Sequence, residues 1–348
     1  MPIKFQYLKS IFPGVVLALV FCLFSQGINN VLAIEMFGTS KSPISTVLIA
    51  ILLGILMGNA FTPRPGMMIG LDFTQQYILK LGIIFLGIRL SLTDLIKFGS
   101  IAIPLVIFCI IGVLVLIKLL IKKVPISSKM SYLIAIGTSV CGATAIVATA
   151  PVINAKKTEV AYAIANITLF GVIAMLIYPY FAEWYFNNNA LEAGLFLGTS
   201  IHETSQVAAA GLIYDQQFNN PETLDVATVT KLIRNTFLVI LIPLFAFLYN
   251  RGEVKNHKYS ILSIFPYFVI GFIGMIIVRN LGDQFFSFEN NNLYFWAKFI
   301  EYLNILATVF LTMAMAAVGI SINLSELKSM GYKPFVVGLI AAVTVGII

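Results

Sequence analysis

Residues 198–206 read Gly-Thr-Ser-Ile-His-Glu-Thr-Ser-Gln and place His202, Glu203 and Gln206 inside an otherwise apolar stretch. A neighbouring imidazole and carboxylate can take up and release a proton, and the hydroxyls of Ser200 and Ser205 and the amide of Gln206 can hydrogen-bond a small polar ligand. Residues 137–144, Gly-Thr-Ser-Val-Cys-Gly-Ala-Thr, open on the same Gly-Thr-Ser step and add Thr138, Ser139, Cys141, Gly142 and Thr144. A broken helix would expose backbone N–H groups and hydroxyls there, and a helix N-terminus is a ready site for an anion because its free N–H groups and its dipole both favour negative charge. These residues are the candidate substrate-binding set, with His202 and Glu203 as the candidate coupling pair. On a helix those two point about 100° apart and serve different neighbours, while Gln206 lies on a face that both can approach. Small residues also let helices pack closely, and the polar trio also suits a structural hydrogen-bond network, so each segment admits a packing role too.

The elements that must position these groups lie in lipid. Of the 348 residues 59% are hydrophobic and 11% charged, with a mean hydropathy of +0.95, whereas soluble domains carry about 25% charged residues. Apolar runs near 11–26, 44–60, 76–90, 99–121, 159–181, 229–249, 261–280, 294–320 and 334–348 match the roughly 17–25 residues that a spanning helix needs. Two further segments, 131–153 and 191–211, are as long but rich in Gly, Ser and Thr. The expected fold is therefore an all-α polytopic membrane protein with about nine to eleven transmembrane segments, a single integral membrane domain over residues 1–348. The final run stops at Ile348 without a polar flank, which predicts either a truncated chain or a short last helix. Lys4 and Lys9 before an apolar run, with no small-residue cleavage site after it, predict a first transmembrane helix rather than a signal peptide.

Charge sets the orientation. The net charge of +7 is spread over short loops, as orientation in a membrane requires and nucleic-acid binding does not. With Lys4 and Lys9 inside, the loops at 122–130 and 250–260 fall on the cytoplasmic side and those at 182–190 and 282–293 outside. Lys156 and Lys157 stay inside only if 131–153 enters and returns; a full crossing by a helix broken in its middle puts them outside. The same two alternatives hold for 191–211. A charged side chain at the centre of a spanning helix costs about 2.5–3.5 kcal/mol, so an ionisable pair there is a functional-site hypothesis by default.

Two internal similarities point the same way. Gly87-Ile88-Arg89-Leu90-Ser91-Leu92-Thr93-Asp94-Leu95 parallels Gly319-Ile320-Ser321-Ile322-Asn323-Leu324-Ser325-Glu326-Leu327, and the two Gly-Thr-Ser segments parallel each other, in the order first, second, second, first. Paired interrupted segments in inverted halves are the best sequence pointer to the binding site of a secondary transporter. Arg89, at the end of the third span, either snorkels to the interface or holds an anion bidentately, and it joins the candidate substrate-binding residues. Lys231 and Arg234, at the start of the run from 229, read as interfacial anchors. Asn166, Asn235 and Asn304 lie within spans and need hydrogen-bond partners. Cys22, Cys109 and Cys141 are far apart in apolar runs and are expected as free thiols, with no metal site among them.

Four ordered blocks carry a family resemblance: Leu81-Gly82-Ile83-Ile84 through Gly87-Ile88-Arg89-Leu90; Val140-Cys141-Gly142-Ala143 through Ala148-Thr149 and Pro151; His202-Glu203 with Gln206-Val207 and Ala209-Ala210-Gly211; and Ala314-Met315-Ala316-Ala317-Val318-Gly319. On these, nearly the whole chain resembles the YeiH-type sulfate exporter family, conserved hypothetical membrane proteins grouped with the fold superfamily of cation/proton antiporters and bile-acid symporters. The resemblance implies inverted repeats, two interrupted or re-entrant helices crossing near mid-membrane, and a bacterial inner-membrane location. It also implies a secondary transporter that exports or exchanges a small anion, sulfate or a related sulfur oxyanion, coupled to H+, to Na+ or to neither. Family members commonly carry Glu where this chain has Ala150, so a coupling role at that step does not carry over. The expected partners are the anion, the lipid bilayer, an H+ or Na+ co-ion and, in a homo-oligomer, a second copy of the chain. No cofactor is expected, since no nucleotide-binding motif is present. The alternative is an intramembrane enzyme using Cys141, His202 and Glu203; the step His202-Glu203-x-x-Gln206 lacks the second histidine of a zinc-protease motif, and His257 lies in a basic loop. An enzyme is not the expectation.

Overall fold

The computed structural model describes residues 2–36, 42, 44–61, 63–121, 127–249, 266–286, 290–323, 325 and 332–347. Every regular element among them is helical, as is required of a non-barrel chain whose backbone must satisfy its own hydrogen bonds in lipid. In chain order the α-helices are α1 (Pro2–Val31), α2 (Thr46–Ala60), α3 (Pro65–Phe73), α4 (Leu79–Leu86), α5 (Leu92–Ile121), α6 (Ser128–Ser139), α7 (Ala143–Thr149) and α8 (Lys157–Phe186). They continue as α9 (Ala190–Ser200), α10 (Thr204–Phe218), α11 (Pro221–Thr236), α12 (Leu238–Tyr249), α13 (Phe268–Phe286), α14 (Asn290–Ser321) and α15 (Tyr332–Ile347).

Seven stretches among the described residues are long and apolar enough to cross a membrane: Ser10–Ile34, Pro65–Arg89, Leu92–Val115, Lys157–Phe186, Pro221–Leu244, Phe268–Phe286 and Leu293–Ser321, with Thr46–Ala60 and Phe335–Ile347 as shorter apolar helices. The chain is thus an all-α polytopic membrane protein, and each of the nine apolar runs corresponds to one of these helices. The starts differ in one direction. The spans expected from 76, 99 and 229 begin at Pro65, Leu92 and Pro221, because Asp72, Thr74 and Gln75, Thr93 and Asp94, and Glu222 and Asp225 break the hydropathy of their early turns. Pro65 and Pro221 take the first helical position, where a missing N–H costs nothing. Ser45, Ser127 and Asn189 cap α2, α6 and α9 by accepting N–H bonds from Leu48, Met130 and Glu192.

The chain forms two compact units. The first holds Met1–Leu95, Ala208–Asp225 and Phe268–Ser325, with a core of Ala18, Cys22, Leu71, Ile78, Met313 and Ala317. Here α4 and α14 end alike: the N–H of Leu90 donates to the Gly87 carbonyl, and that of Ile322 to the Gly319 carbonyl, each at 3.2 Å. These are equivalent positions of the longer sequence similarity, whose last members, Glu326 and Leu327, lie outside the described residues.

The second unit holds Ile96–Val207, Val226–Tyr267 and Glu326–Ile348. In it the segment from α6 to α7 enters and returns. Ser127 Oγ, before α6, donates to Glu159 Oε1 on the first turn of α8 at 2.5 Å, and Lys129 Nζ reaches the Asn154 carbonyl at 2.7 Å. A crossing segment would hold those ends about 30 Å apart. α9 approaches from the other end of α8. Its Phe196 packs at a tilt against the rings of Tyr178, Phe181 and Phe186, whereas Gly137 and Gly142 lie against Ile167. α11 runs on through α12, whose Leu241 and Ile242 share a core with Val152, Ile153 and Ala163 near the start of α8. α10 and α11 are joined by the short Asn219–Asn220 turn, and Gly211 of α10 lies against Leu224 of α11. The charge argument for re-entry at 131–153 therefore holds over full crossing.

Candidate functional site

The two Gly-Thr-Ser steps are the last three residues of α6 and of α9. Beyond the first, the chain turns through Val140 and Gly142 before α7; Gly142 has φ 67° and ψ −125°, a region costly for any side chain. A Cβ on Gly142 would also stand 2.6 Å from Glu203 Cγ. Beyond the second, Ile201 is extended at φ −89° and ψ 138°, and α10 starts at Thr204. His202 and Glu203 thus lie in the non-helical link rather than on a helix, and the expected 100° separation does not apply to them.

A helix end presents carbonyls without intrahelical donors and the negative pole of the dipole. Two cations from α11 meet both ends at once. Lys231 Nζ donates to the carbonyls of Val140 at 2.9 Å, Ile201 at 2.8 Å and His202 at 2.5 Å. Arg234 donates from Nε to the Ser139 carbonyl at 2.7 Å and from its two terminal nitrogens to those of Thr138 and Thr199. Both side chains are fully buried. They correct the expectation of interfacial anchors: α11 begins at Pro221, so Lys231 and Arg234 lie about 15 Å or more along it, at 1.5 Å per residue, and not at its first turn. Gly198 brings α9 against α11, where a Cβ would stand 2.6 Å from Thr230 Cβ.

The opposite pole is served by Glu203, whose carboxylate accepts from the Ala143 N–H at the start of α7 and from the Ser205 side chain. The Glu203 N–H donates to Gln206 Oε1 at 3.3 Å, and Gln206 Nε2 to the Thr168 carbonyl at 3.3 Å. Asn235 Nδ2 bonds Thr204 Oγ1 at 2.9 Å. Around this frame five buried polar atoms meet no partner among the described residues: Thr138 Oγ1, Ser200 Oγ, His202 Nδ1, Thr230 Oγ1 and Asn235 Oδ1. Buried polar groups are ordinarily hydrogen-bonded, so this collection has spare capacity for a ligand.

Residues 13–338 match the family model described as Conserved hypothetical protein 698. This chain belongs to that family. It is 34% identical over 303 residues to a UPF0324 membrane protein of Streptococcus agalactiae, covering 86% of each chain. With a UPF0324 membrane protein of Fusobacterium nucleatum it shares 34% over 316 residues, 87% of this chain and 88% of the relative. With one of Pasteurella multocida it shares 34% over 329 residues, 92% and 91%. No solved structure matches. The family match contains both helix breaks and both buried cations.

The structure brings together most of the residues singled out in the sequence and reassigns some. Thr138 and Ser139 offer carbonyls to Arg234, not the N–H groups expected at a broken helix, because they close α6 rather than open α7; the Ser139 hydroxyl donates back to the Ala135 carbonyl at 2.6 Å. Cys141 is partly buried and a free thiol, as are the buried Cys22 and Cys109. Ser200, His202, Ser205 and Gln206 are buried at the second break, and Thr144 is exposed. Arg89 belongs to the first unit. There it pairs with Asp225 at 3.0 Å and Asp215 at 3.6 Å and donates to the Pro221 carbonyl at 3.0 Å. Neither alternative drawn from sequence, snorkelling or holding an anion, foresaw this carboxylate pairing. Lys231 and Arg234 are the residues of this cluster that sequence reasoning misplaced. Their signal was present: Thr223, Ala227, Lys231 and Arg234 recur at helical spacing after Asn220-Pro221, a helix-start step.

Proposed function

We propose that the chain is a secondary transporter of a small anion and that the meeting point of its two helix breaks is the binding site. The observation that carries this reading is the set of ionisable groups at that point: two buried basic side chains, Lys231 and Arg234, stand with one acidic one, Glu203. Ionisable side chains at membrane depth face a partner or a pathway, and an anion would balance the excess. Arg234 uses three of its five N–H donors on carbonyls. The hydroxyls of Thr138, Ser200 and Thr230 add donors suited to an oxyanion with several oxygens. The resemblance to sulfate exporters makes sulfate or a related sulfur oxyanion the substrate class, exported or exchanged across the bacterial inner membrane, with Glu203 and His202 carrying coupling. Transport is preferred over an intramembrane enzyme because His202 Nδ1 meets no orienting group among the described residues, which a Cys141–His202 nucleophilic pair would need.

A stability screen of purified protein tests the reading. A ligand that binds only the folded state at 100 times its Kd stabilises by about 2.7 kcal/mol. Sulfate, sulfite or a small sulfonate should raise the melting temperature saturably over chloride at equal ionic strength, and the same anion should exchange across proteoliposomes. A panel in which no anion stabilises and none exchanges would remove the transport assignment.

A further inference from the structure

We infer that Lys231 fills a monovalent-cation site with its own ammonium group, so that the chain carries a tethered cation where a sodium ion would otherwise sit. The three acceptors around Lys231 Nζ are backbone carbonyls at 2.5–2.9 Å, one from the first helix break and two from the second. Carbonyls at unwound backbone and at half-helix C-terminal ends are the ligands with which interrupted helices coordinate Na+, and rings of carbonyl oxygens replace the hydration shell of a bare alkali cation. An ammonium has three N–H donors, and here each finds one carbonyl. The side chain has no route to solvent that would make it a snorkelling anchor, for it is fully buried. Arg234 holds the three neighbouring carbonyls, of Thr138, Ser139 and Thr199, so the negative poles of α6 and α9 are both compensated by covalently attached charge. A free cation would have to compete with a ligand that is always present at the site. The inference rests on the transport reading only for its consequence, that anion movement does not require sodium; the cation site itself stands on the carbonyl geometry.

The test measures the melting temperature of purified wild type, Lys231→Ala and Lys231→Met in the chlorides of sodium, potassium, methylammonium and choline at equal ionic strength. Wild type should melt at one temperature in all four. Lys231→Ala should melt lower in choline and recover at least half of that loss, saturably, in sodium, potassium or methylammonium. Lys231→Met, whose apolar stem occupies the vacated space, should melt lower and not recover. An alanine variant that responds to no small cation more than to choline overturns the inference, as does a wild type that sodium stabilises saturably beyond choline. If Lys231→Ala yields no folded protein, the wild-type comparison decides by itself: equal melting in all four salts supports the tethered cation, and saturable stabilisation by sodium refutes it. Chloride is constant throughout and anion binding is read separately with sulfate at fixed cation, so either result can fail without the other.

Discussion

Arg234 reaches three carbonyls through three different nitrogens, and that fork joins the end of α6 to the end of α9. A lysine at that position is a point charge on a shorter reach and cannot reproduce the planar spread. Arg234→Lys should therefore leave at least one buried carbonyl unpaired and lower stability by about 1–3 kcal/mol; thermal or denaturant unfolding in detergent measures it, and a variant as stable as wild type would mean the fork does not hold the breaks. Glu203 makes a different kind of contact. Its carboxylate accepts from Ala143 and Ser205 while its own N–H is fixed by Gln206, so the group is held in place beside His202. Glu203→Gln keeps the shape and removes the proton exchange. In proteoliposomes that variant should still bind the anion, but its flux should not respond to an imposed pH gradient. Unchanged pH dependence in the variant, or none in wild type, would make Glu203 a structural residue only.

At the scale of elements, the site is a device for joining interrupted helices, and α11 is the clasp. Gly198 sets how closely α9 approaches it, with an added Cβ 2.6 Å from Thr230 Cβ and 2.8 Å from the Ala227 carbonyl. Gly198→Val must push α11 outward, and with it Lys231 and Arg234. Overpacking of this kind costs about 1–3 kcal/mol, and the variant should lose its stabilisation by sulfate along with that stability. Gly274→Ala, where a Cβ meets nothing within 4 Å, should keep both; equal behaviour of the two variants would detach the α9–α11 contact from the site. The positions of both breaks were legible in the sequence, because Gly-Thr-Ser in an apolar run is a local signal and each break follows directly on it. The chemistry of the first break was not. Whether Thr138 closes one helix or opens the next depends on three residues of backbone geometry, with Gly142 at φ 67° deciding the turn. Lys231 was misplaced for a non-local reason. The first turns of α11 hold Glu222 and Asp225, which read as loop, while the carbonyls that accept the ammonium come from residues 29–91 positions away. No periodicity within α11 reveals where those acceptors are.

Across the whole chain, orientation follows from charge and from the return between α6 and α8. The segment from Ser127 to Glu159 begins and ends on one side, so Lys129, Lys156 and Lys157 share a side, as the positive-inside rule prefers for the cytoplasm. The basic loop at 250–260 is expected on that side too, although it lies outside the described residues, as do 122–126 and 287–289. The opposite interface has its own marks. Trp184 and Tyr185 are 74% and 62% exposed at the end of α8, as aromatic residues at a membrane–water boundary are. A single cysteine at exposed Lys156 should therefore label only from the cytoplasmic face, and one at Asn188 only from the outer face of intact cells, each above the background of Cys22, Cys109 and Cys141. The pair is diagnostic because α8 alone separates the two positions. Were the segment from α6 to α7 a full crossing, Lys156 would exchange sides relative to the 122–130 loop, and a cysteine in that loop would report from the face opposite to Lys156. Labelling of Lys156 and the 122–130 loop from one side, with Asn188 on the other, is the expected outcome; any other pattern breaks the re-entrant topology and with it the meeting of the two helix breaks from opposite sides.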